Sequence, residues 1–329
     1  MNSTQVVPGS AFTPSNGLSP RVRRLGDPVS AAIATVIGSA ARLFRGQLAA
    51  ARQPLTEAGA VLDTLENDAA HVANTPLVGL WGGHLVVLAW LGGAPDGAMV
   101  AAGKMRARAD ACRDPFHRCI AMTITALAHV WRREPDLALD AARRALEVGL
   151  LGGSPVWRGR AMSIHHWAAT QLDPRAAQTR ADELSKALAL QLGAGPGGRT
   201  AFTPCVAVVY AAAGYHDRAL RELDDALAFV ERTDERAWSS ELHRLRGELL
   251  RESDKAEAER AIERAFEISR EQGAKSFELR AALSLAKLNR GTRKNRAALE
   301  ELRRGYASFT EGFGTGDLVE AKGLLGASQ

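Results

Sequence analysis

Three short stretches of this 329-residue chain carry residue types that do chemistry. GAGPGGRT, Gly193 to Thr200, matches the phosphate-cradling pattern G-x-x-x-x-G-K-[ST] except that Arg199 stands in place of Lys. In such a loop, backbone N–H groups and a helix N-terminus converge on phosphate while a compact ammonium neutralises it. CRDPFHRC places Cys112, His117 and Cys119, all potential metal donors, within eight residues. MSIHHWAATQL carries the adjacent imidazoles of His165 and His166.

Each chemistry demands a particular setting, and the flanking sequence argues against all three. A phosphate loop needs a strand before it, yet RAAQTRADELSKALALQL precedes Gly193 with apolar residues at helical spacing. Arg199 lacks the compact reach of the missing Lys. The stretch is therefore predicted to be a bend between helices, with Gly193 as a left-handed C-cap and Pro196 blocking continuation. Zinc wants about four ligands in tighter pairs, and Asp114-Pro115 reads instead as the N-cap and first turn of a helix. Neighbouring residues on a helix point about 100° apart, so His165 and His166 do not converge on one ion. GFGTGD, Gly312 to Asp317, also follows a helix; Thr315 or Asp317 is expected to N-cap a last short helix, DLVEAKGLL. No Ser-His-Asp arrangement or paired carboxylates stand out. The reading assigns no catalytic, cofactor or metal residue, hence no cofactor and no enzyme activity.

The elements behind these stretches are helical. Ala, Leu, Arg and Glu dominate, and aromatic residues make up only 5%. The net charge of +5 is spread over helices in which Arg and acids interleave, as in ELHRLRGELLRESDKAEAER, which disfavours nucleic acid as a partner. LVGLWGGHLVVLAWLGG is too short and too interrupted to span a bilayer and reads as a buried helix, so no membrane is expected. Three cysteines build no disulfide framework, which suits the cytoplasm. The Ser-, Pro- and Gly-rich start lacks the apolar core of a secretory signal.

Breaks near Gly46, Gly93, Glu134, Asp173, Gly214, Ser253 and Gly291 recur about every 40 residues, the period of a two-helix solenoid unit. In the clearest unit, Ala207 and Tyr210 precede a turn at Gly214, and Ala219, Leu223 and Ala226 follow at spacings of four and three on one face. Ala126 with Ala138, Ala142 and Ala145 repeats this ladder. So do Ala258, Ile262 and Ala265, and then Ala286 with Ala298 and Leu302. Small residues there resemble those of the tetratricopeptide repeat and let paired helices approach closely. The predicted fold is all-α: an α–α superhelix, a TPR-like solenoid of about seven hairpins. Residues 1–27 are expected to be a disordered or flexible lead-in, 28–311 the repeat domain and 312–329 a capping helix and tail.

The last third of the chain also resembles one family. Trp238, Glu241, Leu242, His243, Arg244, Gly247 and Glu248 form a first signature. Lys275, Ser276, Glu278, Leu279 and Arg280 form a second, and Phe309 to Phe313 with Asp317, Leu318, Glu320, Ala321 and Lys322 a third. These segments resemble the C-terminal helical-repeat regions of bacterial multidomain ATPases joined to class III adenylate/guanylate cyclase or DNA-binding activator domains. The wider architecture is similar to the repeat domain of maltose-regulator-type activators. The resemblance implies a sensor or scaffold whose partners are a protein, such as an ATPase or cyclase module, or a small regulatory ligand. No ATPase or cyclase motif accompanies it here. The expected function is binding on the concave face, with two alternatives: sensing of a small-molecule inducer in a transcriptional regulator, and a nucleic-acid-binding solenoid. Trp157, Arg158, Arg160 and His165 are the candidate groove-facing cluster, since first helices line the inner surface of such solenoids. Packing of the N-terminal hairpins against another copy is left open.

Overall fold

The computed structural model describes residues 28–63, 77–152, 154–192 and 198–327. The expected lead-in over 1–27, the Gly193 cap and the Pro196 break lie outside them. All regular structure among the described residues is helical. Among the described residues fifteen α-helices run α1 (Pro28–Phe44), α2 (Leu48–Asp63), α3 (Leu77–Leu91), α4 (Pro95–Cys112), α5 (Pro115–Arg132), α6 (Pro135–Leu150), α7 (Pro155–Leu172) and α8 (Ala177–Leu192). There follow α9 (Thr203–Ala212), α10 (His216–Thr233), α11 (Ser239–Leu250), α12 (Lys255–Gln272), α13 (Lys275–Leu288), α14 (Asn295–Ala307) and α15 (Gly316–Gly326). None of the described helices is long and apolar enough to cross a membrane.

Local chemistry sets the helix starts. Four consecutive helices, α4 to α7, open on a proline, whose fixed φ suits the first turn and whose missing N–H is not needed there. Asp114 caps α5 by accepting from the Phe116 N–H at 3.1 Å.

Helices α1 to α14 pair in chain order into seven hairpins. Each first helix packs on the first helices of the neighbouring hairpins, and each second helix packs on its own partner and on the next first helix. The residues that permit this recur in every second helix. Ala51, Leu55 and Ala58 sit on α2; Ala98, Ala102 and Met105 on α4; Ala138, Ala142 and Ala145 on α6. Ala177, Ala181 and Leu184 follow on α8, then Ala219, Leu223 and Ala226 on α10, Ala258, Ile262 and Ala265 on α12, and Ala298, Leu302 and Gly305 on α14. All of these are buried, as are Ala207 and Tyr210, while Gly214 makes its turn at φ +82°. The ladder thus extends to α2, α4 and α8. At Gly247 of α11 the approach to α12 is close: a Cβ there would lie 2.5 Å from Ile262 Cγ1 and 2.8 Å from the Ala258 carbonyl.

The stack also touches itself at a distance. The Ala237 N–H donates to the Phe44 carbonyl at 3.0 Å, joining the start of the sixth hairpin to the end of α1. Ser276 Oγ of the seventh hairpin donates to the Trp90 carbonyl at the end of α3. Arg133, at the end of α5, pairs with Asp317 and Glu320 of α15. First meets sixth, second meets seventh and third meets the cap, so one turn of the array takes about five hairpins and the next turn lies directly on it. Aromatic rings weld the contact: Trp90 stacks on Trp131 at 5.0 Å and meets Phe277 edge-on at 5.2 Å.

The loop before α15 clamps this closure. Asp96 of α4 accepts from the Gly312 N–H at 2.9 Å, and Glu311 accepts from the Gly97 N–H at 2.8 Å. Gly312 is required twice over, for its φ of +73° and because a Cβ would meet Pro95 Cγ at 2.6 Å. Thr315 occupies the N-cap position of α15, but its hydroxyl donates back to the Gly312 carbonyl instead of capping. The last helix therefore fastens two turns together as well as covering the end of the stack.

Candidate functional site

With the turns in contact, the inner side of the array narrows to a cavity of about 290 Å³. Helices α5, α7, α9, α11 and α13 wall it, and α15 stands at its mouth. The apolar lining is dominated by Trp131, Trp167, Trp238 and Phe277 with Leu245 and Leu283. Eight charged residues complete it: Arg133, Arg244, Arg280 and Lys287 against Glu241, Glu248, Asp317 and Glu320.

The inner charges are fully engaged with one another. Arg244 grips Glu241 through Nε at 2.8 Å and Nη2 at 2.9 Å. Arg280 donates from Nη1 to Glu241 at 3.0 Å, from Nε to Asp317 at 2.7 Å and from Nη2 to the Trp131 carbonyl at 2.7 Å. Its guanidinium also lies 4.9 Å from the Trp90 ring centre. Burial alone would push the Glu241 carboxyl up, but the Arg244 and Arg280 guanidiniums outweigh it and hold the group below the ordinary carboxylate range. Arg244 is driven further up by the same pairing, against its own burial.

The outer charges are looser. Glu320 bridges Arg133 and Lys287, and Glu248 accepts from Ser284 Oγ with Arg244 Nη1 at 3.7 Å. The side chains of Lys287, Glu320 and Arg133 are 37%, 29% and 48% exposed, which marks this end as the mouth. Burial raises Glu320, but its bonds to Lys287 and Arg133 lower it further, so it stays ionised. Cys205, also in the lining, has its thiol pushed up to about 12 by burial and so is no nucleophile near neutral pH.

The candidate groove cluster resolves onto two sides of α7. Arg160 lies 4.4 Å over the Trp157 ring and 5.2 Å from Phe202, with both Arg160 and Trp157 buried. Arg158 turns away and packs on Gly149 of α6, and His165 is half-buried near Arg143 and Arg180. Helical rotation of 100° per residue explains the split, since Trp157 and Arg160 lie 60° apart while Arg158 and His165 share another face. None of the four lines the cavity. Their neighbour His166 is buried and held down to about 4, first by burial and then by His165.

The glycine-rich stretch holds an anion, but it is the chain's own. Glu235 accepts from the Gly198 N–H at 3.0 Å, the Thr200 N–H at 3.1 Å and the Thr200 hydroxyl. The Gly198 and Thr200 N–H groups are thus taken by Glu235 and do not face a phosphate. Among the described residues, α8 precedes this stretch, not a strand. Burial pushes the Glu235 carboxyl up even though these bonds and Arg160 draw it down. Of the three potential metal donors in CRDPFHRC, His117 lies 3.0 Å from Asp114, and no group of three or more His, Cys, Asp or Glu among the described residues is placed to hold an ion.

Comparison with known protein families and with curated proteins returns no match. Six of the eight charges of the cavity come from the three sequence signatures: Glu241, Arg244 and Glu248 from the first, Arg280 from the second, Asp317 and Glu320 from the third. Sequence reasoning placed these residues in signatures without seeing that they meet. A signal was present in the i, i+3, i+7 spacing of Glu241, Arg244 and Glu248, which sets three charges along one side of a helix.

Proposed function

We propose that this chain is a non-catalytic helical-repeat sensor module that takes a small regulatory ligand in the central cavity. One observation carries the reading. The inner face is a compact cavity of about 290 Å³ with aromatic walls, near the lower end of the range for metabolite sites. A helix of about 10 Å diameter would not fit inside it. The absence of chemistry in the proposal follows from the state of the lining, where the inner carboxylates are consumed in ion pairs and the thiol is held protonated. The resemblance to ATPase- and cyclase-linked regulators supports a signalling role, with ligand occupancy fixing the contact between turns. A protein partner is a second reading, favoured by Leu150 and Leu151, which stand 69% and 75% exposed at the end of α6.

Thermal denaturation of the full chain against sugars, nucleotides, amino acids and acyl metabolites tests the cavity. A true ligand raises Tm in a saturable way, by the equivalent of about 2.7 kcal/mol at a hundredfold excess over Kd. Gln171→Trp, at an exposed position of the lining, should abolish that rise without unfolding the protein. If no compound in any class raises Tm, the reading fails.

A further inference from the structure

The charge balance of the cavity restricts what can enter it. Four cations face four anions there. Arg280 is held through all three of its nitrogens, giving Nε to Asp317, Nη1 to Glu241 and Nη2 to a backbone carbonyl. The exchangeable pairs are those at the mouth, around Lys287, Glu320, Arg133 and Glu248. A guest with one charge that displaces one member of a mouth pair leaves the other member, only partly in solvent, without its counter-charge, which is unfavourable. A guest carrying both signs replaces both members at once and leaves the count at zero. Trp238 also lines the cavity and is 3% exposed, and its indole N–H, itself shut off from solvent, has no acceptor among the described residues.

Resting on the cavity reading above, we infer that the ligand is a compact zwitterion with an apolar body, of the α-amino-acid class. Its carboxylate meets Lys287 and Arg133, its ammonium meets Glu320 and Glu248, and its side chain lies against Trp131, Trp167 and Trp238. Multiply charged anions such as nucleotides are disfavoured, because the lining carries no surplus positive charge to receive them.

The test uses L-leucine and L-phenylalanine, neither of which interferes with tryptophan emission, on the full chain. Three of the lining residues are tryptophans, so intrinsic fluorescence and Tm both report binding. At least one of the two should shift both signals saturably. 3-Phenylpropionate, phenethylamine and 3-phenylpropanamide, which lack the ammonium, the carboxylate or both charges, should bind at least tenfold more weakly than L-phenylalanine or not at all. Lys287→Met should weaken amino-acid binding at least tenfold, and Lys287→Arg should restore it to within a few-fold, which separates loss of charge from loss of fold. Equal binding of the singly charged or neutral analogues overturns the inference and leaves the cavity reading standing. So does silence from both amino acids when a sugar, nucleotide or acyl compound stabilises the protein. Silence from every class removes both.

Discussion

Glu235 and Glu241 flank Trp238, both almost wholly buried, yet their surroundings push them in opposite directions. Glu235 is met by dipoles, two backbone N–H groups and a hydroxyl, with the charge of Arg160 further off. Those bonds do not outweigh lost solvation, and the carboxyl is raised. Glu241 is met by two guanidiniums in direct contact, and there the Coulomb gain exceeds the same penalty. Burial therefore does not decide what a carboxylate does in this fold; the partner does. The Glu235 contact ties a loop to the start of the sixth hairpin. The Glu241 contact ties α11 to α13 and, through Arg280 and Asp317, to α15.

The comparison can be broken most directly at the stronger site. Glu241→Gln leaves two buried guanidiniums short of a counter-charge and should cost about 3–5 kcal/mol in urea unfolding; a loss under about 1 kcal/mol would mean the network holds nothing together. Gly312→Ala strains the clamp between the turns while leaving both carboxylates intact, and about 1–2 kcal/mol of stability should go with it. Tryptophan emission should change in the same variant, because Trp90 and Trp131 lie at that contact.

Glu235→Gln keeps an acceptor for the loop and should cost only about 1 kcal/mol near neutral pH. The two carboxylates should also differ in the sign of their pH dependence. Glu235, raised in the folded state, contributes stability that is full below the ordinary value of 4.5 and is lost as pH rises through its folded pKa. Glu241, lowered, contributes stability present above 4.5 that is lost as pH falls through its folded pKa. The stability difference between the parent and each Gln variant, followed from neutral pH to about pH 4, should rise for Glu235 and fall for Glu241. Parallel slopes would refute the distinction. The smallest effect is expected at Arg296→Ala, whose partner Glu300 is also in solvent: within about 0.5 kcal/mol by the same unfolding measurement.

The hairpin breaks and most of the small-residue ladder were legible because they depend on neighbours along the chain. Gly46, Gly93, Gly214 and Gly291 all turn with positive φ, and Ala138, Ala219 and Ala258 are all fully buried. The cavity was not legible. Trp157, Arg158, Arg160 and His165 drew attention as a local cluster of large and charged residues, but a helix divides close neighbours between its faces. Arg280 gives no local hint that it will bond the Trp131 carbonyl 149 residues away.

Taken alone, the amino-acid order determined a helical chain punctuated every 40 residues or so, because period and turn chemistry act over a few residues at a time. How tightly the hairpins coil was decided only in three dimensions. Small rotations between successive pairs add up over five units, and their sum brings Phe44 to Ala237 and Trp90 to Ser276. That sum, not any single motif, closes the inner face into a cavity and gathers eight charges from distant segments around it.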